Sequence, residues 1–291
     1  MLQKIIVDNV AFDGSLSLPV SIRDQVIADL MQKRHTVDTQ VLEEWNEVSV
    51  RGAWMDEGFF KMDSTLKTQV IFGDTTEQHV SVLVHVDEGI QYRLTSIRFR
   101  KYVDWDDVVR FDSDDAADTG KPALRRKTPD DAEHLGSAEL AFPPEELRTL
   151  VPLNDGDLLR TMQIKEGLDA LKRLYGSHGY INFVATPLTE VDDSNGTISL
   201  TMELDEGKQF RLRKTEVSGL DPQAASALKW PMQPGDIFNN ELFEKLFTDN
   251  KDILPAEASP TNLELRKNEK NGTVDIRLAF PTCPVTDAAT R

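Results

Sequence analysis

Three groups of residues in this 291-residue chain have side chains suited to chemistry. Asp112, Asp114, Asp115 and Asp118 crowd the acidic run DWDDVVRFDSDDAADTG, and clustered carboxylates are the hard oxygen donors that calcium takes. His79 and His85 share one face of an alternating segment, and imidazoles bind zinc. His178 stands in YGSHGY (175–180), between two glycines and beside aromatics, where a catalytic loop would hold a general base. Each group also falls short. The acidic run lacks the mid-loop glycine and closing glutamate of a calcium loop. The histidine pair has no third ligand in view. No Ser/His/Asp order, phosphate-cradling glycine loop or HExxH motif occurs. One enzymatic alternative survives on these residues: a metal-dependent hydrolase whose 102–118 segment closes over a site.

Bulk properties narrow the partners. Lys and Arg total 33 against 50 Asp and Glu, a formal net charge of -17. Nucleic-acid affinity rests on cationic contacts with phosphates, so a nucleic-acid partner is not expected, nor is attraction to anionic headgroups. No apolar run reaches the roughly 18 residues of a membrane-spanning helix. The single cysteine, Cys283, rules out an internal disulfide and a cysteine-type zinc site. No cofactor is implied. No basic–apolar–small leader precedes the first segment, and the expectation is that one has been removed.

The elements that must position these residues repeat. HVSVLVHVDEG (79–89), TISLTMELDEG (197–207) and TVDIRLAFP (273–281) alternate strictly, which marks strands with one buried and one wet face. Two of them end in Asp-Glu-Gly and continue alike, DEGIQYRLTSIRF (87–99) against DEGKQFRLRKTEV (205–217), with Gly89 and Gly207 at the bend. Asn195-Gly196 and Asn271-Gly272 predict type I′ hairpins before the second and third alternating strands. Helical stripes lie between, clearest at Ile164, Leu168, Leu171 and Tyr175. Each unit therefore reads strand–helix–helix–strand–strand, a two-layer α+β unit with one sheet face wet and the other covered by two helices. YGSHGY falls where the second helix ends and the hairpin begins. Gly58-Phe59 answers Gly179-Tyr180 there, and the histidine has no counterpart, so the corner reads as scaffold.

This order of elements, with LKRLYGSHGYINFVATP, an Asn-Gly hairpin and a strand closing in LDEGKQFRLRKTEVSGL, resembles the POTRA (polypeptide-transport-associated) domain. The resemblance is strongest over 158–219 and weakest over 208–281, where Asp252-Ile-Leu-Pro255 replaces the glycine-aromatic corner. It predicts tandem α+β modules, each a three-stranded mixed sheet covered on one face by two helices, at 1–90, 91–207 (with an acidic insertion at about 102–143) and 208–281, then a flexible tail, 282–291. It implies a non-enzymatic, periplasmic, outer-membrane-associated scaffold that binds unfolded outer-membrane or secreted polypeptides, or an envelope assembly protein, by β-augmentation. A cell-envelope scaffold with one fixed partner is the variant inside the same fold. Nothing after Phe280 reads as barrel strands, so membrane association is expected through a partner or through a barrel absent from this sequence. The implied polypeptide-binding edge is Leu66, Lys67, Thr68, Gln69, Val70 and Ile71 in the first module. In the second it is Ile181, Phe183 and Ala185, blunted by Pro187.

Overall fold

The computed structural model describes residues 4–33, 38–74, 76–102 and 139–281. The elements run β1 (Lys4–Gly14), α1 (Val20–Gln32), α2 (Thr39–Trp45), α3 (Arg51–Asp56), β2 (Asp63–Gly73), β3 (Glu77–Asp87) and β4 (Arg93–Lys101). There follow α4 (Pro144–Thr149), α5 (Thr161–Ser177), β5 (Val184–Asp192), β6 (Thr197–Asp205) and β7 (Arg211–Ser218). The last elements are α6 (Pro222–Ala227), α7 (Leu242–Asp249), β8 (Leu263–Asn268) and β9 (Thr273–Ala279). The core of the acidic insertion, with Asp112, Asp114, Asp115 and Asp118, and the 282–291 tail lie outside the described residues. No helix among the described residues is long and apolar enough to cross a membrane.

The strands form three sheets of three, ordered β1-β3-β2, β4-β6-β5 and β7-β9-β8. The strictly alternating strands are the central ones. β3 pairs parallel with β1 and antiparallel with β2, and β9 does the same with β7 and β8. The sheets are thus mixed, as the resemblance implies. Alternation decides the packing. Val80, Val82, Val84 and Val86 of β3 are buried, as are Ile198, Leu200, Met202 and Leu204 of β6 and Val274, Ile276 and Leu278 of β9. Each such side chain contributes roughly 1.5–3 kcal/mol when taken fully out of water.

The helices complete each layer pair. In the first module Val26 and Leu30 of α1 join Leu42, Trp45, Val50 and Trp54 over the β3 valines. α2 and α3 are one helical run with a π turn (Asn46–Val50) between them, and Asp38 caps its start by accepting from the Val41 amide. The Trp45 indole N–H donates to the Val26 carbonyl, tying this run to α1. In the third module Phe238, Phe243, Leu246 and Leu254 cover β9. The described residues pack as two compact units: those within 1–98, 148–167 and 187–201 form one, and those within 99–102, 139–147, 168–186 and 202–281 form the other.

The hairpins correct one expectation. No described non-glycine residue has positive φ, so Asn195-Gly196 and Asn271-Gly272 are not type I′ turns. An Asx residue opens each loop instead. Asp192 Oδ1 accepts from the Ser194 and Asn195 amides, and Asn268 Oδ1 from those of Lys270 and Asn271. Only the closing glycine is left-handed. The Ser194 and Asn195 hydrogen bonds hold the Asp192 carboxyl down at about 2.

Candidate functional site

β2, β5 and β8 each end their sheet, so one margin of each carries backbone groups without a strand partner. β2 is the longest at 11 residues, against 9 and 6. Leu66 packs against the first core, while Lys67, Thr68, Gln69, Val70 and Ile71 are exposed. The register slips between Val70 and Phe72, leaving Ile71 as an extra residue. Val70, Ile71 and Phe72 are 52%, 52% and 57% exposed, a run of three apolar side chains in water.

The second edge begins later than its sequence implies. β5 starts at Val184, so Ala185 is in the strand but Ile181 and Phe183 precede it. Phe183 is buried and stacks flat on Tyr175 at 4.0 Å. The corner consumes these residues: the Tyr180 amide donates to the Tyr175 carbonyl, and that of Phe183 to the Tyr180 carbonyl. Pro187 is exposed within β5.

The histidines serve the scaffold. The His79 ring pairs with Asp8 at 2.9 Å and stacks on Phe72, with ring centroids 4.1 Å apart. His85 pairs with a different aspartate, Asp13, at 2.8 Å. The His178 Nδ1 lies 2.8 Å from the Leu174 carbonyl, where it donates, and Phe142 meets the ring edge-on. Among the described residues no three His, Cys, Asp or Glu side chains are grouped to hold a metal ion.

The corners turn out to be joints. In the first compact unit the Tyr92 amide donates to the Gly58 carbonyl, and in the second the Phe210 amide donates to the Gly179 carbonyl, both at 2.8 Å. Tyr92 and Phe210 are the aromatics that follow Asp-Glu-Gly, so each corner glycine receives the start of the next sheet. Phe59 is buried beneath the first corner, and Tyr180 packs edge-on against Tyr175 at the second. Two Gly-Asp turns, Gly156-Asp157 and Gly235-Asp236, belong to the same joints. Arg93 Nη1 donates to the Gly156 carbonyl and Arg211 Nη1 to that of Gly235, while the Leu159 and Phe238 amides donate to the Tyr92 and Phe210 carbonyls.

A side-chain clasp spans each joint. Asp193 accepts from Lys61 Nζ at 2.6 Å and from the Tyr92 hydroxyl at 2.6 Å. The matching contact at the second joint is Asn182 Nδ2 to Glu269 at 3.0 Å, and Phe210 has no hydroxyl to add. The hydrogen bonds from Lys61 and then Tyr92 hold the Asp193 carboxyl below the usual range, and the bond to Asp193 raises both Lys61 and Tyr92. Asp193→Asn removes the anion, so the Tyr92 phenol then titrates at lower pH, nearer an ordinary tyrosine. Following the Tyr92 ring signals by NMR through an alkaline titration checks this.

Two residues at the joints escape sequence reading. Glu88 and Glu206, from the Asp-Glu-Gly triplets, are each 3% exposed. Glu88 accepts from the Trp54 indole at 2.8 Å, from the Ser17 amide at 2.6 Å and from the Ser17 hydroxyl. Glu206 accepts from the Tyr175 hydroxyl at 2.8 Å and the Ala141 amide at 2.7 Å, and pairs with Lys101 at 2.8 Å. Burial first, then the Glu206 bond, pushes the Tyr175 phenol far up. Each carboxylate ties the second helix of its module to the segment leaving the first strand. The signal was present in the repeated Glu, but only the neighbouring glycine had an evident backbone reason. Gly89 and Gly207 follow, each donating its amide to the aspartate two residues back. The third module has neither corner nor glutamate. There Asn250, 1% exposed, accepts from the Lys229 amide and donates to the Lys229 and Leu246 carbonyls.

Comparison with known families agrees with this geometry. Residues 135–207, the stretch that contains the second corner and its Asp-Glu-Gly, match the sequence model of the POTRA family, described as a surface antigen variable number repeat. The chain carries a POTRA domain. The crystal structure of Haemophilus influenzae BamA POTRA3-5 superposes with a TM-score of 0.60 at 22% identity, covering 96% of each chain. That likeness establishes the fold: three tandem modules of the POTRA type. POTRA1-3 of the periplasmic domain of Omp85 from Anabaena also match, over 97% of each chain at 14% identity, with a TM-score of 0.36 that carries no further argument. In POTRA terms, β3, β6 and β9 are the central strands, and β2, β5 and β8 are the hairpin strands left at the margins.

Proposed function

We propose that this chain is a non-enzymatic periplasmic scaffold of outer-membrane protein assembly or secretion, and that it binds extended polypeptides by adding a guest strand to β2. One observation carries the reading. β2 is an 11-residue sheet margin without proline, and it holds Val70, Ile71 and Phe72 in water. Such an edge is an aggregation hazard that proteins normally blunt with charge or proline, and an exposed apolar run marks an interaction surface. Main-chain hydrogen bonds then supply affinity with little sequence demand, and alternate side chains supply modest selectivity. The net charge of -17 favours solubility despite that apolar run. The family match over 135–207 and the likeness to the BamA modules support the compartment and the assembly role.

The test is a titration of the isotope-labelled chain with a short peptide of alternating apolar residues, patterned on a barrel strand. Amide signals along 66–72 should move, with smaller changes along β5. The Val70→Lys/Phe72→Lys double variant should weaken binding about tenfold, because two exposed apolar contacts are replaced by edge charges. Peptide binding that leaves every signal in β2, β5 and β8 unmoved would contradict the proposal. A pull-down that returns one dominant partner instead of many nascent barrel proteins would favour a scaffold dedicated to that partner.

A further inference from the structure

The third module leaves part of its sheet uncovered. α7 has 8 residues where α5 has 17. Leu263, Leu265 and Lys267 of β8 pair with Leu278, Ile276 and Val274, all buried, and so lie on the helix-facing side. Leu263 packs against the core, but Leu265 is 52% exposed. Beside it a cavity of about 200 Å³ opens, walled by Ile181, Phe183 and Phe238 and flanked by Lys172 and Lys267. All of these residues belong to one compact unit. No carboxylate lines the cavity among the described residues. Lys267 donates to the Asn182 side-chain carbonyl, and Glu269 sits beyond it on the Asn182 amide. A basic apolar recess is unexpected on a chain of net charge -17.

We propose that this recess reads sequence. It takes an extended polypeptide that pairs with the free margin of β8 and carries an apolar residue with Asp or Glu two positions away from it. The spacing follows from β8 itself. Leu265 and Lys267 are two residues apart on one face, and a strand added alongside presents its own side chains to that face with the same period. The apolar residue enters the cavity over Leu265, and the carboxylate reaches Lys267 and Lys172. Opposite charges across neighbouring strands attract and like charges repel, so the lysines select an acidic guest and turn away a basic one. This inference rests on the edge-pairing reading above and adds to it a second edge with a defined preference.

The experiment uses two fluorescent peptides that differ only in charge, Glu–x–apolar–x–Glu and Lys–x–apolar–x–Lys, which serve either strand direction, titrated by anisotropy into the full chain. The acidic peptide should bind about fivefold more tightly. Lys267→Glu should reverse that order, and Leu265→Asp should weaken both peptides about tenfold. Both residues are exposed, and an unchanged thermal melt verifies folding. The Val70→Lys/Phe72→Lys variant should leave the preference intact. Equal affinities, a preference that survives Lys267→Glu, or indifference to Leu265→Asp would each overturn the inference. If neither peptide binds while a generic alternating peptide still shifts 66–72, this inference falls and the β2 reading stands. If 66–72 fails to respond as well, both fall.

Discussion

Glu88→Ala lowers the stability of the first module by about 3 kcal/mol, more than any exposed substitution on its sheet. The variant strips the acceptor from four donors at once: the Trp54 indole, the Ser17 amide, the Ser17 hydroxyl and the Leu18 amide. Trp54 is fully buried, so its N–H has no water to turn to, and a buried donor left unpaired costs its full desolvation penalty. Urea unfolding followed by tryptophan fluorescence measures the loss. Glu206→Ala should behave alike in the second module, since Tyr175, Ala141 and Lys101 lose their shared partner. The effect depends on pH in a defined direction. Burial pushes the Glu88 carboxyl up, but hydrogen bonds from Ser17, Trp54 and the Leu18 amide together outweigh it and hold the carboxyl below its ordinary value. A group with a depressed folded-state pKa gives its full stabilisation above the unfolded value and loses it as pH falls through the folded one. The gap between wild type and Glu88→Ala is therefore widest near neutrality and narrows on acidification. A gap that stays constant down to strongly acid pH would refute this account.

Gly179→Ala should disrupt the second joint at a cost of about 2 kcal/mol or more, whereas Gly58→Ala at the first costs about 1 kcal/mol. Both glycines have φ of +88°, so both variants incur the left-handed penalty of an L side chain. Clearance separates them. A Cβ on Gly179 would sit 2.8 Å from the Phe210 carbonyl oxygen and 2.9 Å from Ile237 Cγ2. On Gly58 the nearest atoms, in Leu158 and Tyr92, are 3.3 Å away. The Phe210 amide bond to the Gly179 carbonyl should open with the corner, so hydrogen exchange at the Phe210 amide accelerates in Gly179→Ala, while the Tyr92 amide in Gly58→Ala stays protected. Equal exchange at the two amides would show that clearance does not control the joint.

The central strands are legible because one of their faces is buried and the other wet, which imprints strict alternation on 79–86, 197–204 and 273–280. The mixed strand order comes through resemblance to a known domain, since periodicity does not encode which neighbour a strand chooses. Other features are not legible, for physical reasons. The hairpin type cannot be read at Asn195 because the preceding Asp192 captures the backbone amides and moves the left-handed position to glycine alone. Ile181 and Phe183 alternate like strand residues, yet the corner bends them into the core before β5 begins. Glu88 and Glu206 escape notice because a charged residue closing an alternating strand reads as wet, and the donors that reverse that reading lie far off in sequence. Lys61 and Asp193, 132 positions apart, show the same gap.

The joints bear on how such a chain can grow. The middle module has at its front an aromatic plug, Tyr92, and at its back a glycine socket, Gly179. Its neighbours supply the complements, the socket Gly58 before it and the plug Phe210 after it. A segment copied in tandem therefore arrives with both halves of its connection already matched, and the array lengthens by duplication without inventing a new contact. The third module, held by Asn250 where the others use their corner glutamates, offers no such socket and would need a different kind of link to pass the pattern on.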